Sequence, residues 1–211
     1  PYERAMRDSR INRIFEGSSE IMHLMMAREL VDQHLKVAGA LLDKKATIGA
    51  KLKALPGIVS FYAGWYPRLW LGGLFRPSYA RFGKLAPHLK FAESASRRLA
   101  RSVFHGMVLY QAKMERKQAF MFRAVDIAME LFVMVASIVR TQKLIDDDRA
   151  EAASATELSD LFARNARHYV DTKFRELWHS DDDGKYAVGR HVLEERHAWL
   201  EPKRTYVGTS K

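Results

Sequence analysis

Arg7-Asp8-Ser9-Arg10-Ile11-Asn12-Arg13-Ile14-Phe15-Glu16-Gly17-Ser18-Ser19-Glu20-Ile21 sets one carboxylate on a glycine turn between two helix-like stretches. Upstream of it, Tyr2, Met6, Ile11 and Ile14 recur at a roughly helical spacing. Gly17 interrupts that run, since glycine enters turn conformations at little steric cost. Ser18 or Ser19 can cap a new helix, and Glu20 then falls in its first turn. The helix is expected to bury Ile21, Leu24, Met25, Val31, Leu35 and Ala38, which follow one another at helical spacing. A face packed in that way would hold the turn in one place. The free N–H groups at the helix start can bind a phosphate or an oxyanion there. Spacing leaves two readings of Glu16: a carboxylate positioned for chemistry, or an acidic side chain that simply suits a helix start.

Outward from the turn, the periodicity is helical nearly throughout, and no alternating strand pattern appears. Phe91, Ala95, Leu99, Val103, Met107 and Tyr110 form one stripe; Leu158, Leu161, Phe162, Tyr169 and Leu177 form another. Between them a helix from about Arg116 to Leu144 is apolar over most of its circumference, which predicts a central element covered by the others. Its Met121, Met129 and Met134 read as core filler. Breakers cluster at Pro56-Gly57, Pro67, Gly72-Gly73, Pro77 and Pro87, with later loops at Asp146 to Asp148 and Asp181 to Gly184. The expected plan is an all-α helical bundle: an entry helix pair over 1–42, a broken middle segment over 43–90, and a four-helix extension over 91–211.

The chain has 211 residues, 47% of them hydrophobic and 28% charged, enough to bury a sizeable core. It contains no cysteine, which excludes disulfides, thiolate chemistry and cysteine-based zinc sites. The longest apolar run, Leu131 to Val139, falls short of the roughly 20 residues that span a bilayer. The chain opens at Pro1 inside a motif, so it is expected to be the C-terminal piece of a longer polypeptide.

From Lys44 to Lys90 the sequence interleaves Lys44, Lys45, Lys51, Lys53, Arg68, Arg76, Arg81, Lys84 and Lys90 with eleven aromatic or leucine residues from Phe61 to Phe82, and contains no acidic residue. Much of the +10 net charge lies there. Aromatic rings favour the bilayer interface and basic side chains reach toward anionic headgroups, so a peripheral contact with an anionic membrane is one reading. The other is a loop whose rings pack onto the helices while its charges face water. A nucleic-acid partner is set aside because no binding motif accompanies the charge.

Glu176-x-x-His179 and Glu194-x-x-His197 match the spacing used in di-iron carboxylate bundles, with Glu115 and Glu130 available as further ligands. Both pairs lie in consecutive C-terminal segments, and helices rich in Glu and His produce such spacings by chance; no metal is expected. Asp181-Asp182-Asp183-Gly184 lacks a calcium-loop ligand ladder, and Thr209-Ser210-Lys211 is not the peroxisomal tripeptide. His23, His34, His88, His105, His168 and His191 have no nucleophile partner at motif spacing, so core or surface roles are expected for them.

The run Arg7 to Glu29, RDSRINRIFEGSSEIMHLMMARE, resembles the last conserved block of the flavin-dependent acyl-CoA dehydrogenases. That resemblance implies that Glu16 is the catalytic base, that Gly17 touches the substrate, and that Ser18, Ser19 and Glu20 lie against the flavin of FAD. Phe15 replaces a tyrosine common in shorter-chain members, and Glu20 stands where many members carry Gln or Asp. The extension after about Leu42 resembles the very-long-chain branch. From that branch follow the expectations of a long-chain acyl-CoA substrate, an electron-transfer flavoprotein as acceptor and a homodimer. Location would be cytoplasmic or on the mitochondrial matrix side, peripheral to the inner membrane. The family builds most of its flavin site from domains this chain does not contain, so alone it is expected to be inactive. The competing reading is a non-catalytic helical module that binds a membrane or a partner.

Overall fold

Among the residues described by the computed structural model (2–11, 15, 17–42, 45–75 and 77–200), helices predominate and no strand occurs. In chain order the α-helices are α1 (Tyr2–Ile11), α2 (Ser19–Leu42), α3 (Ile48–Leu71), α4 (Ala86–Tyr110), α5 (Gln118–Asp146), α6 (Ala152–Glu176) and α7 (Asp182–Leu193). Short 3-10 turns follow at Gly72–Phe75, Ala80–Leu85, Gln111–Arg116 and Ala198–Leu200. The all-α expectation holds among the described residues. The chain divides after Leu177 into two compact units; the second begins at Trp178 and contains α7. No described helix is long and apolar enough to cross a membrane.

In the first unit α5 is the central element, as its apolar circumference predicts. Ala124, Val125, Ile127, Met134 and Ile138 are wholly enclosed, and α2, α4 and α6 all pack against this helix. Met121 and Met134 fill the core, whereas Met129 is exposed, together with Phe132 and Val133 on the outer side of the helix.

On α6 the expected stripe is only partly right. Leu158, Leu161 and Tyr169 are exposed, Phe162 lies at the core margin and Leu177 is buried. The buried face is Ser159, Asp160, Ala163, Ala166, Val170 and Phe174. Small side chains let α6 approach α5 closely, and its polar ones are paired: Ser159 with α5, and Asp160 with α4, the Ala80–Leu85 turn and its own helix. The hydroxyls of Thr141 and Ser159 are 2.6 Å apart, and Asp160 meets His88 Nε2 at 3.0 Å, Lys84 Nζ at 3.1 Å and Arg164 at 3.2 Å. Hydroxyls and carboxylates paired in this way can occupy positions that hydrophobicity assigns to leucine.

On α4, Ala95, Leu99 and Val103 are buried and Phe91, Met107 and Tyr110 border the core, as expected. Pro87 sits at the start of this helix, where its missing N–H has no partner to lose. Gly106 faces Phe120 so closely that a Cβ there would lie 2.6 Å from the ring.

The middle segment is broken after Leu71, by the 3-10 turns at Gly72–Phe75 and Ala80–Leu85, but the breaks expected at Pro56-Gly57 and Pro67 do not occur. Helix α3 runs unbroken through Pro56 and Pro67, capped at its start by Thr47, whose hydroxyl accepts the Ala50 N–H at 3.3 Å. Each proline leaves one carbonyl without its helical donor, those of Leu52 and Ala63. Leu52, Pro56, Ala63 and Pro67 are all exposed, so water can reach the freed oxygens. The aromatic rings on the other side bind the helix to its neighbours: Tyr62 and Trp65 pack on His34 of α2 and Phe104 of α4, and Arg101 lies 4.2 Å over Trp70.

Candidate functional site

Gly17 adopts φ +109°, a conformation that L side chains rarely enter, and a Cβ there would also press to 3.2 Å from Met22 Sδ. The glycine therefore makes the turn that the sequence predicts. The Ser18 carbonyl accepts the Met22 N–H at 3.0 Å, and Ser19 opens α2. Gly17, Ser18, Ser19 and Glu20 are thus brought together on the turn and the first turn of the helix. Glu16 lies outside the described residues.

Glu20 is fully exposed. Its carboxyl is held below the ordinary glutamate range, first by a backbone N–H, then by the Ser18 hydroxyl, with His23 adding a smaller attraction and desolvation opposing. An ionised Glu20 beside the free N–H groups of a helix start is favourable on any reading.

Helix α2 is turned relative to the expected face. Ala27 and His34 are buried, with Leu30 and Val31 against the core, whereas Ile21, Leu24, Met25 and Leu35 are exposed. The shift is about a quarter turn. Apolar residues cover more than one side of this helix, so its hydrophobic pattern does not select a face. Two histidines mark the face it presents.

His34 Nδ1 lies 3.0 Å from the Tyr62 hydroxyl and the two rings stack. Burial pushes the His34 imidazole below its usual pKa and the Tyr62 phenol above. His23, one turn into α2, joins the helix start to the core helices. Its Nδ1 is 2.6 Å from the Ser19 carbonyl and its Nε2 is 2.9 Å from Asp126 Oδ1 on α5. Lys173 Nζ of α6 stands 4.0 Å from Asp126 Oδ2 and 3.1 Å from Glu176, which also lies 3.8 Å from Arg123 Nε. Glu176, weighed as a metal ligand from its spacing, is here a partner of Lys173 and Arg123.

Sequence reasoning missed His23 and Asp126. The residues lie 103 positions apart, and only the packing of α2 on α5 brings them together.

Beside this cluster is a mainly apolar cavity of about 540 Å³, bordered by Leu24, Ala27 and Val31 of α2, Met121 of α5, Met107 of α4 and Met114. Arg28, Gln111 and Gln118 supply its polar groups. Among the described residues no group of three or more His, Asp or Glu side chains could hold a metal ion.

Comparison with known proteins agrees with the turn. Residues 1–31 match the family model for the acyl-CoA dehydrogenase C-terminal domain. The probable acyl-CoA dehydrogenase FadE10 of Mycobacterium tuberculosis is 46% identical over 202 residues, covering 95% of this chain and 31% of that protein. A probable acyl-CoA dehydrogenase of Bacillus subtilis is 25% identical over 183 residues, 86% of this chain and 27% of the relative. The human mitochondrial very long-chain specific acyl-CoA dehydrogenase is 27% identical over 168 residues, 78% of this chain and 25% of its own length. The chain therefore spans about a third or less of the relatives it matches. No solved structure gives a significant match.

Proposed function

We propose, for a chain that belongs with the acyl-CoA dehydrogenases, that Glu16 is the base in the oxidation of a long-chain fatty acyl-CoA to the trans-2-enoyl-CoA. The match over residues 1–31 carries the reading, because it covers the turn on which Glu16 precedes Gly17. In this role a carboxylate oxygen of Glu16 takes the α-proton. The α C–H bond is too weakly acidic for a carboxylate unless the developing enolate oxygen receives hydrogen bonds, and the Glu16 backbone N–H is the donor this chain supplies. Gly17 contributes bare backbone beside the thioester, in keeping with its positive φ.

Ser18, Ser19 and Glu20 would face the FAD isoalloxazine ring. They fit such a neighbour in placing two hydroxyl side chains at a helix start. When bound, the flavin accepts the β-hydride. Acyl-chain length follows on this reading from the very-long-chain relative, and with it go the electron-transfer flavoprotein as acceptor, a homodimer, and a place on the matrix or cytoplasmic side of a membrane. The isolated chain is inactive in this account, since most of the flavin site is built by other domains of the family.

Glu16→Gln in the enzyme that carries this chain is expected to lower turnover by about 10²- to 10⁴-fold or more with flavin content unchanged. Retained turnover refutes the assignment.

A second reading, contact with an anionic membrane, is favoured by one observation. Along the outer side of α3, Ile48, Leu52, Leu55 and Val59 form an exposed aliphatic stripe, with Lys53 and Arg68 exposed elsewhere on the same helix.

A further inference from the structure

We infer that His23 is a positioning residue for the Gly17–Ser19 turn, clamping the first turn of α2 to Asp126 of α5 through an imidazolium that donates from both nitrogens. The catalytic side of this inference rests on the reading of Glu16 as the base. Geometry carries the clamp. The Ser19 carbonyl, 2.6 Å from Nδ1, can only accept, and an ionised Asp126 carboxylate, 2.9 Å from Nε2, can only accept. A neutral ring has one N–H and satisfies one of them; the doubly protonated ring satisfies both.

The surroundings agree. Desolvation works against charge on His23, but the Ser19 carbonyl and Asp126 outweigh it, and the ring is held above its usual pKa. The charged and titratable groups around it are Glu20 on α2, Asp126 and Arg123 on α5, and Tyr169, Lys173 and Glu176 on α6. Lys173 and Arg123 are engaged with Glu176, which leaves an oxygen of Asp126 to His23. Phe122 covers the ring at 5.2 Å. The helices that follow the turn in sequence thereby reach back to hold it.

The test uses the 211-residue chain. Ring-nitrogen NMR at neutral pH should show His23 protonated at both positions. Amide protection factors of Met22 and His23, whose N–H groups bond back to the Ser18 and Ser19 carbonyls, should fall as the pH rises through the His23 pKa. His23→Arg keeps two donors on a charge that does not titrate, so protection should persist without that pH dependence. His23→Gln and Asp126→Asn should lower protection at neutral pH and remove its fall with rising pH, while leaving residues 124–138 protected. A singly protonated ring with a protected turn, or unchanged protection in His23→Gln, overturns the clamp. In the enzyme, His23→Gln should lower kcat about 10- to 100-fold with KM little changed, and His23→Arg should restore it. An exchange result as expected, combined with an active Glu16→Gln enzyme, would sink the catalytic reading and leave the clamp standing. The reverse combination would sink the clamp alone.

Discussion

At position 106 the missing methyl group is what lets α4 sit against Phe120. A Cβ there would stand 2.6 Å from a ring that is almost completely buried, so one of the two helices or the ring has to shift. Overpacking of this kind costs about 1–3 kcal/mol, against roughly 1 kcal/mol gained in helix propensity when Ala replaces Gly. Gly106→Ala should therefore lower the urea midpoint. In a Phe120→Leu background, where the ring is gone, the same substitution should be neutral or stabilising. An equal loss in both backgrounds would show that the ring is not the obstacle. In the sequence Gly106 looks like a weak point in a helix, because the residue that requires it lies on another element.

Among elements, α3 separates what could be read in advance from what could not. Its composition is plain in the sequence, but the prolines suggest breaks, and the direction each ring takes is set by neighbours. Tyr62 and Trp65 turn inward onto His34 and Phe104, leaving aliphatic residues and Trp70 outermost. If the outer stripe meets a membrane, the chain should cosediment with anionic vesicles more than with neutral ones, each basic residue near the surface adding about 1 kcal/mol. Val59→Asp, on an exposed position, should reduce that binding without affecting the fold. Equal, negligible binding to both vesicle types would end the membrane reading. Helices α4 and α5 were legible because their apolar residues lie on the faces their neighbours need. The α6 seam was not, since it is built from alanine, serine and aspartate, and its leucines face water.

For the whole molecule, ionisation links the separate contacts to one stability profile. His34 is depressed from 6.5 by burial; its contribution is complete above 6.5 and is lost as the pH falls toward the lowered pKa. Asp160, held down first by its bond from His88 and then by Lys84, contributes above its ordinary value of 3.8, and that contribution disappears as the pH falls through its depressed pKa. His23 has the opposite sign: its contribution is full below 6.5 and disappears as the pH rises through its elevated pKa. Denaturation of the chain at a series of pH values should show stability falling on both sides of neutrality. His34→Phe should flatten the fall between pH 6.5 and more acid values, and an unchanged slope there would contradict this account. The glycine turn and the all-α class were readable from local pattern, whereas the groups that set this profile were not, because the burial of His34 and the partners His88 of Asp160 and Asp126 of His23 arise only from packing between elements distant in sequence.

The His23–Asp126 bond also bears on descent. The family model matches residues 1–31, and the carboxylate that grips the turn within them stands at position 126. Turn and anchor are thus open to separate substitution: the anchor can be altered without any change within the matched segment, and the loss would show only in how firmly the turn is held.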